Sequence, residues 1–469
     1  MRRNKIKVIA TLAIAMCFTI ACAPRLATSQ DTPPEEWIYG DKLQQEESTS
    51  TSNTDSLTLP QNWWEMFQDT TLNDLVVYAI LNNRDVAATA TTIEAAKQNI
   101  RSVRATYLPS LGVEIIGEVT NNKYESKAQE YTIAPTLDWE ISLFGALRQT
   151  SKKAKAEAAE SEWAFNAIRL SIAAEVATTY FTLLQAICSQ QIAIDSYRLR
   201  AQETALIDSM FRYGMSNIVA LEQARSLTFT ALSDIGVYNR AVEQSRMTLS
   251  LLLGENPGET TRNIGKTHNI MTMELPPMIP LGLPSDLVER RPDVQQSYYK
   301  MSAAAAAVGI ARAARYPLLS ISASGGIYGT TLKSLTSDKP WMWSALGELT
   351  QTVLNFGGLK SKEKMAHAKY MESMYNYEQS MLTAFTDVEK ALIAIDTYAL
   401  ERSATTQLVQ ANTLISQSVG ALYKSGMSDY LDVIDAERSL YSSQMTLVSV
   451  IAEQYISYID LCKALGGGY

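Results

Sequence analysis

The fold is decided by residues 147–253, which begin LRQTSKKAKAEAAESEWAFNAIRLSIAAEVATTYFTLLQ and contain no proline and only two glycines, Gly214 and Gly236. Proline interrupts a helix because it lacks the backbone donor and clashes with the preceding turn, so this stretch can form helices far longer than the globular average. Apolar residues recur along it at steps of three, four and seven, which is the spacing of one helix face. We therefore predict long α-helices.

The motif Tyr213-Gly214-Met215-Ser216 divides the stretch into two helices. Glycine readily adopts the left-handed conformation that ends a helix, and a serine can cap the next one. The result is a helical hairpin whose first arm, Leu147–Arg212, would extend for about 100 Å at 1.5 Å per residue. Small and apolar residues after the turn follow the pattern of a coiled-coil seam: Leu221, Ala224, Thr228, Ala231, Ile235, Tyr238, Val242, Ser245, Leu249 and Leu252.

The whole hairpin occurs twice along the chain. Three anchors repeat at one common spacing: Phe144-Gly145 as Phe356-Gly357, Gly214-Met215-Ser216 as Gly426-Met427-Ser428, and Leu253-Gly254 as Leu465-Gly466. The second stretch, Leu359–Leu465, also lacks proline, and its glycines are Gly420 and Gly426. An internal duplication follows, in which each half is one structural repeat.

The N-terminus carries the pattern of an exported, acylated protein. Residues 1–21 combine a basic start with an apolar stretch and predict an export signal that is removed on maturation. The segment 18–22 resembles a bacterial lipobox with Cys22 as the acylated residue, although Thr19 replaces the usual leucine. A plain signal with an incidental cysteine is the alternative. Residues 22–71 comprise a lipid-anchored tether, rich in proline, serine, threonine and acid up to Asn62, and an equatorial segment that leads into a helix capped by Asp69 or Thr70.

In each half a predicted helix is followed by two segments in which apolar and polar residues alternate, the pattern of a β-strand. The helix of the first half is predicted to run to Val103, and that of the second half covers Ser285–Arg315. The apolar members are Leu111, Val113, Ile115 and Val119, then Tyr131, Ile133, Leu137, Trp139, Ile141 and Leu143, and in the second half Leu319, Ile321, Ala323 and Ile327, then Trp341, Trp343, Ala345, Leu349 and Val353. A polar turn is expected over Asn121–Gln129. Strands of about ten residues that are apolar on one side match the span of a membrane β-strand.

Four strands cannot close a membrane barrel, and an open sheet edge in lipid leaves unpaired backbone groups that cost several kcal/mol each. Copies of the chain must therefore share one barrel, as a dimer with eight strands or a trimer with twelve. The domain order is a signal at 1–21, the tether at 22–71, a first repeat at 72–254, a proline-rich linker at 255–284 and a second repeat at 285–469.

Several functions are disfavoured by composition. The net charge is −8, which argues against nucleic acid as a partner. No uninterrupted apolar stretch reaches the length of about 18 residues that indicates a transmembrane helix, so none is expected. His268 and His367 lie far apart, and neither a metal site, a cofactor site nor a catalytic centre is recognisable, so we do not expect an enzyme. Cys188 and Cys462 are expected to be small buried side chains. The chain has 17 methionines, three of them in the linker. We expect them to fill irregular gaps in the core, and export of a soft metal is the alternative interpretation.

Taken together, short motifs over the whole mature chain are similar to those of TolC-family outer-membrane efflux lipoproteins of the NodT type. They are Trp64-x-x-Phe67-x-Asp69-x-x-Leu72, Asn83-Arg84-Asp85, Tyr107-Leu108-Pro109, Asp138-Trp139-Glu140 with Leu143-Phe144-Gly145, Arg290-Arg291-Pro292-Asp293, and Tyr423-x-x-Gly426 with Leu431-Asp432-Val433-Ile434-Asp435-Ala436-x-Arg438. The resemblance implies a mainly α fold with a membrane β-barrel portion, in which three subunits form a twelve-stranded barrel and a long periplasmic α-barrel.

The same resemblance implies a passive exit duct in the outer membrane, lipid-anchored through Cys22. Its partners would be a periplasmic adaptor and an inner-membrane pump of the resistance-nodulation-division type. A lipid-anchored coiled-coil structural or adhesion protein of the envelope is the alternative.

A periplasmic gate is also implied, close to the hairpin tips at Gly214 and Gly426. The matching positions are Leu431, Asp432 and Asp435 in the constriction, with Tyr423 and Arg438 as candidates for the bonds that keep it shut. Asp432 and Asp435 are one helical turn apart and can point into the same lumen. By spacing alone they could equally be two solvated aspartates.

Overall fold

The computed structural model describes residues 37, 60, 62–122, 125–257, 261, 264, 269–277, 279, 284–337 and 341–467. The predicted signal, Cys22 and most of the tether lie outside the described residues. The chain forms two compact units. The first, which we call the strand unit, comprises Thr91–Trp163 and Gln295–Ser380. The second, which we call the tip unit, comprises Ala164–Val294, Met381–Gly467, Trp37 and the described residues between 60 and 90. Each unit takes segments from both halves of the duplication.

The elements follow the same order in each half. The first half has a short 3-10 helix Trp63–Phe67, then α1 Thr70–Asn82, α2 Arg84–Ala105, β1 Ser110–Asn122, β2 Glu125–Ile141, α3 Ala146–Arg212 and α4 Ile218–Leu252. The second half has α5 Pro284–Arg290, α6 Pro292–Ala313, β3 Leu318–Gly329, α7 Ser334–Ser337, β4 Trp341–Thr350, α8 Gly358–Lys424 and α9 Tyr430–Ala464.

The predicted long hairpins are confirmed in both halves. Helices α3 and α8 each have 67 residues, and α4 and α9 each have 35. The predicted seam of α4 is buried at Leu221, Ala224, Ala231, Val242, Leu249 and Leu252. By length and composition α3 contains one window apolar enough to cross a membrane, where the sequence led us to expect none, but 61% of that window is buried. A window that is mostly buried is typical of a core helix.

The helix before each pair of strands is broken, which the sequence analysis did not predict. Asn83 ends α1 and caps α2, since its Oδ1 accepts from the backbone N–H of Asp85 at 2.8 Å and of Val86 at 3.2 Å. Its Nδ2 donates to the Leu252 carbonyl at the end of α4, 2.9 Å away. In the second half the break falls at Arg291, because the following Pro292 disfavours the helical conformation in the residue before it.

Glycine in the left-handed conformation ends all four hairpin helices. Gly214 has φ +74° and Gly426 has φ +76°, and Gly254 and Gly466 have φ +74° and +91°. At the first tip the Met215 N–H donates to the Met210 carbonyl at 2.8 Å, which makes the turn a Schellman motif. The predicted cap at Ser216 is wrong by one residue: Asn217 caps α4, and its side chain accepts from the Ala220 N–H at 2.9 Å.

The four strands form one antiparallel sheet in the order β1-β2-β3-β4. Strands β1 and β2 continue to Asn122 and Glu125, so the polar turn expected over Asn121–Gln129 is shorter than predicted. The backbones of the two strands pair there instead of forming a loop. Strand β4 ends at Thr350 and leaves Val353 outside, because its neighbour β3 begins only at Leu318, opposite Thr350. Leu143 likewise lies past the end of β2.

The aromatic core of the tip unit lies near the start of α1. The rings of Phe181 and Tyr455 are stacked with centroids 4.6 Å apart, and Phe67 packs on both. Asp69 caps α1 by accepting from the Thr71 N–H at 2.8 Å, and the buried Tyr180 hydroxyl donates to the same carboxylate at 2.5 Å. The predicted cap at Asp69 is thus also a core residue.

Candidate gate at the hairpin tips

An apolar cluster joins the two hairpin tips within the tip unit. We call it the tip cluster; its buried members are Ile207, Leu221, Ala224, Leu227, Tyr430, Val433 and Ile434, and Ala220, Val419 and Tyr423 pack against it. The members come from α3, α4, α8 and α9, so both hairpins contribute. The ends of the long helices are therefore held together by side-chain packing beside the turns.

Tyr423 contributes its ring to this cluster. Its centroid lies 5.5 Å from that of Tyr430, with the rings tilted by 48°. Burial raises the pKa of both hydroxyls above the ordinary tyrosine value, so both remain neutral at physiological pH. Within one protomer the role of Tyr423 is packing, and the bond across the gate remains a prediction.

The other four predicted gate residues share one exposed side of α9. Leu431 is 54% exposed, and Asp432, Asp435 and Arg438 are exposed as well. We call these four residues the open face of α9. The opposite side carries the buried residues Val433, Ile434, Ala436 and Glu437. The geometry thus brings together the residues that the sequence assigned to one site, on a surface that a single protomer does not cover.

The two aspartates of the open face differ in their local partners. Asp432 lies in the first turn of α9 and accepts a hydrogen bond from the Ser428 hydroxyl at 2.6 Å. A carboxylate at this position is also favoured by the helix dipole, so local structure alone accounts for it. Asp435 makes neither a hydrogen bond nor an ion pair with any residue that the structure describes. Of the two, Asp435 is the carboxylate whose position has no explanation within the protomer.

A buried charged group behind the open face was missed by the sequence analysis. Arg200 of α3 lies 3.9 Å from Glu437 of α9, between Nε and Oε2, and both side chains are less than a tenth exposed. The guanidinium donates to the Leu227 carbonyl at 3.3 Å and lies over the Tyr441 ring, 5.3 Å from its centroid. Burial and then the hydrogen bond with the Glu203 carboxyl raise the pKa of Glu437 to about 8.

A signal for this group is present in the sequence. Ala193, Arg200 and Ile207 lie at steps of seven, and all three are buried, so the arginine occupies a seam position. Glu437 continues the buried stripe of Tyr430 and Ile434 at the next helical step. A charged residue at a seam position therefore marks a buried pair.

Metal-binding and thiol side chains are dispersed in the described part of the chain. No group of three or more histidine, cysteine, aspartate or glutamate side chains is placed there to hold a metal ion. Cys188 and Cys462 are free thiols, and burial raises the pKa of both. Raised pKa values keep these thiols protonated and unreactive.

Comparison with known proteins adds independent information. The profile of the outer membrane efflux protein family matches residues 75–255 and 283–467. The chain is similar to a probable outer membrane lipoprotein, SilC, of Salmonella typhimurium, with 28% identity over 463 residues that cover 98% of both chains. It is 30% identical over 416 residues to the solvent efflux pump outer membrane protein SrpC of Pseudomonas putida, covering 86% of this chain and 87% of that one.

A solved structure agrees with these matches. The crystal structure of CusC, a protein that undergoes conformational changes on folding and transmembrane channel formation, superposes with a TM-score of 0.81 and 26% identity. The match covers 95% of this chain and 100% of that one. The duplicated hairpins and the four-stranded sheet thus recur together in a protein that forms a transmembrane channel.

Proposed function

Because this chain belongs to the outer membrane efflux protein family and is an outer-membrane efflux channel, we propose that three copies close one twelve-stranded barrel and act as the passive exit duct of a tripartite pump. The observation that carries the proposal is the sheet, which has four strands and two unpaired edges, β1 and β4. Both edge strands are exposed wherever the structure describes their side chains.

The number of copies follows from the size of the lumen. An open edge in lipid would leave a row of backbone groups without hydrogen bonds, at several kcal/mol each, so the sheet has to close with other copies. Two copies would give eight strands, whose interior is filled by side chains, whereas twelve strands leave room for a channel. A coiled-coil adhesion protein, the alternative from sequence, would need no such sheet.

The partners are a periplasmic adaptor and an inner-membrane pump of the resistance-nodulation-division type. SrpC, which is named as the outer membrane protein of a solvent efflux pump, supports a pump as partner, while the adaptor and the pump type rest on the motif resemblance. Acylation of Cys22 would anchor the mature N-terminus in the membrane, since each buried methylene contributes about 0.8 kcal/mol. The duct needs no cofactor and carries out no catalysis, and its pump selects the cargo.

The open face of α9 forms the gate in this proposal. In a threefold-symmetric assembly, Asp432 and Asp435 of the three copies would form a ring of carboxylates around the channel axis. The Leu431 side chains would form an apolar ring next to it. A ring of carboxylates attracts cations and repels anions. Tyr423 and Arg438 would hold neighbouring hairpins together. Support for the arrangement comes from the shared exposure of the four α9 residues and from the missing local partner of Asp435.

The experiment uses the full-length acylated protein purified from membranes in mild detergent. Native mass spectrometry should give the mass of three chains, unheated samples should migrate as an oligomer that heating dissociates, and planar bilayers should show discrete ion conductance. A monomer without conductance would refute the shared barrel and favour the adhesion alternative.

A further inference from the structure

Behind the open face of α9 lie three ionisable side chains that the proposed gate does not use. Arg200 and Glu203 come from α3, and Glu437 comes from the side of α9 opposite Asp435. Arg200 and Glu437 are less than a tenth exposed, and Glu203 is half-buried. We call these three residues the α3–α9 cluster. Helices of two different repeats are therefore joined by ionisable groups inside the tip unit.

One proton holds the two carboxyl groups of the α3–α9 cluster together. The side chains of Glu203 and Glu437 are hydrogen-bonded, and two carboxyl groups form such a bond only when one of them is protonated. Burial disfavours the charged form of a carboxyl, so the more deeply buried Glu437 keeps the proton and donates to Glu203. The bond exists only while Glu437 is neutral.

The third member of the cluster is only partly bonded. Arg200 donates from Nη1 to the Leu227 carbonyl, but its buried Nε has no hydrogen-bond partner in the part of the chain that the structure describes. The Oε2 atom of Glu437 lies 3.9 Å from this Nε, which is too far for a hydrogen bond but within reach of a small side-chain movement. Because a buried unpaired donor is costly, an ionised Glu437 has a second partner available.

The equivalent position in the second repeat carries no charge. Matching the two repeats at their tip glycines places Asn412 where the first repeat has Arg200. Asn412 donates to the Ser439 carbonyl at 3.2 Å, which is the equivalent of the bond from Arg200 to the Leu227 carbonyl. A neutral amide therefore makes the same bond between the two arms of a hairpin, and the charge of Arg200 is not needed for it.

We propose that the α3–α9 cluster is a proton-controlled switch that biases the tip between a packed and a loosened state. While Glu437 holds its proton, its bond to Glu203 joins α3 to α9. When the proton passes through half-buried Glu203 to water, the two carboxylates repel each other and Glu437 turns to the Nε of Arg200. Because α9 carries the open face on its other side, this movement shifts Asp435 relative to the first hairpin. The proposal rests on the proposed gate and adds the group that regulates it.

The direction of the pH effect follows from burial. Burial and then the bond to Glu203 raise the pKa of Glu437 from 4.5 to about 8 in the packed state. A conformation in which water reaches Glu437 holds the proton less tightly, so a higher pH favours that conformation. The loosened state should therefore become more populated as the pH rises from about 4.5 to about 8.

Further ionisable groups from three helices surround the cluster. Asp234 and Tyr238 come from α4, Tyr423 comes from α8, and Tyr430 and Tyr441 come from α9. Burial raises the pKa of all four tyrosine hydroxyls above the ordinary value, so they stay neutral between pH 4.5 and 8. Asp234 accepts a hydrogen bond from the Tyr441 hydroxyl at 2.9 Å. We therefore assign the proton of the switch to the α3–α9 cluster itself.

The test is the pH dependence of opening in planar bilayers, measured with the full-length acylated protein. In the parent channel the ratio of open to closed time should rise several-fold between about pH 5 and about pH 8. Glu437→Gln keeps a donor for Glu203 and cannot ionise, so its ratio should stay near the low-pH value throughout. Asn412→Ala, a change at the matched position of the second repeat, should keep the pH profile of the parent.

Two further variants should move the pH profile in opposite directions. Arg200→Gln can still donate to the Leu227 carbonyl but offers no charge to an ionised Glu437, so the midpoint should rise by roughly one pH unit. Glu203→Gln removes the repelling carboxylate and should lower the midpoint by roughly the same amount. A merely structural cluster would change stability and leave both midpoints in place. Shifts in the same direction, or none, would overturn the switch.

Infrared spectroscopy separates the switch from the gate. The carbonyl stretch of a protonated carboxyl, taken as the parent spectrum minus that of Glu437→Gln, should disappear as the pH rises through about 8. If the band is absent at every pH, or if it titrates while the open-to-closed ratio stays constant, the switch is wrong and the duct proposal stands. If the parent channel conducts at no pH, the proposed duct itself is refuted.

Discussion

The two hairpin tips share one turn and differ in charge. Gly214 and Gly426 have nearly the same φ, and each turn is closed by the same pair of backbone hydrogen bonds. When the two repeats are aligned so that Gly214 matches Gly426, however, Asp432 and Asp435 of the second tip match Ala220 and Gln223 of the first tip. Because the first tip forms the same turn without these carboxylates, the fold does not require them. Since Asp432 already has a local partner in Ser428, function remains as the reason for Asp435.

The buried side of the same helices differs as well. Glu437 is buried against Arg200, whereas the corresponding Arg225 of the first tip is 43% exposed and pairs with Asp208 and Glu222 at 3.4 and 2.8 Å. An exposed pair contributes little to stability, while a buried carboxyl is costly to ionise. The second tip therefore carries both the candidate gate and a buried ionisable group.

The largest expected effect comes from removing the charge of the second tip. Asp435→Asn should raise the leak conductance of the resting channel in planar bilayers roughly several-fold or weaken block by multivalent cations, since fewer carboxylates remain at the constriction. Glu222→Gln, a charge removal at the first tip, is the control and should leave both quantities unchanged. Unaltered conductance and block in Asp435→Asn would remove this residue from the gate.

A pH effect should also be confined to the second tip. The pKa of Glu437 is raised from 4.5 to about 8, so its contribution to stability is complete below pH 4.5 and is lost as the pH rises through about 8. Hydrogen exchange of residues 427–436, corrected for intrinsic rates, should show opening that becomes more frequent as the pH rises from about 4.5 to about 8. Glu437→Gln should abolish this rise, and Arg225→Gln should leave it intact. A rise that persists in Glu437→Gln would contradict the assignment.

The shared turn predicts equal costs at both tips. Gly214→Ala and Gly426→Ala meet no atom within 4 Å, so the only penalty is the positive φ, about 1 kcal/mol each. Local hydrogen exchange at each turn measures that cost as faster opening. A difference of more than about fivefold between the two tips, roughly 1 kcal/mol, would show that the turns are not equivalent.

The smallest effect distinguishes the caps of α4 and α9. Asn217→Ala removes a bond from the side chain to the Ala220 N–H and should cost about 1 kcal/mol in local stability. Asp429 makes no such bond, and Asp429→Ala should cost only a few tenths through the helix dipole. Exchange rates in the first turn of each helix provide the readout, and equal losses would argue against the difference in capping.

Much of the fold was predictable because long-range repetition and helix periodicity are properties of the sequence itself. The absence of proline predicted α3 and α8 almost to the residue, and glycine marked the tips. The break at Asn83 was not predicted, because it depends on a contact with a distant helix end, the Leu252 carbonyl. The break at Arg291 was not predicted either, although Pro292 marks it in the sequence. Strand ends were displaced for a similar reason: pairing, rather than polarity, decides where a strand stops.

The candidate site was predictable only in part. Motif resemblance identified the open face of α9, and the structure brings its four residues onto one surface. Sequence could not separate Asp432 from Asp435, since the difference lies in a hydrogen bond from Ser428. Nor did it identify Arg200 with Glu437, a pair that forms only when helices of the two repeats pack side by side.

The reversal potential of wild-type and Asp435→Asn channels across a salt gradient in a planar bilayer tests most directly whether the second tip forms the constriction. We predict a cation-selective wild type and a clear shift of the reversal potential toward zero in Asp435→Asn, with no shift in Glu222→Gln. A wild type that conducts without selectivity, or an Asp435→Asn channel with the wild-type reversal potential, would contradict the claim that the second tip forms the constriction.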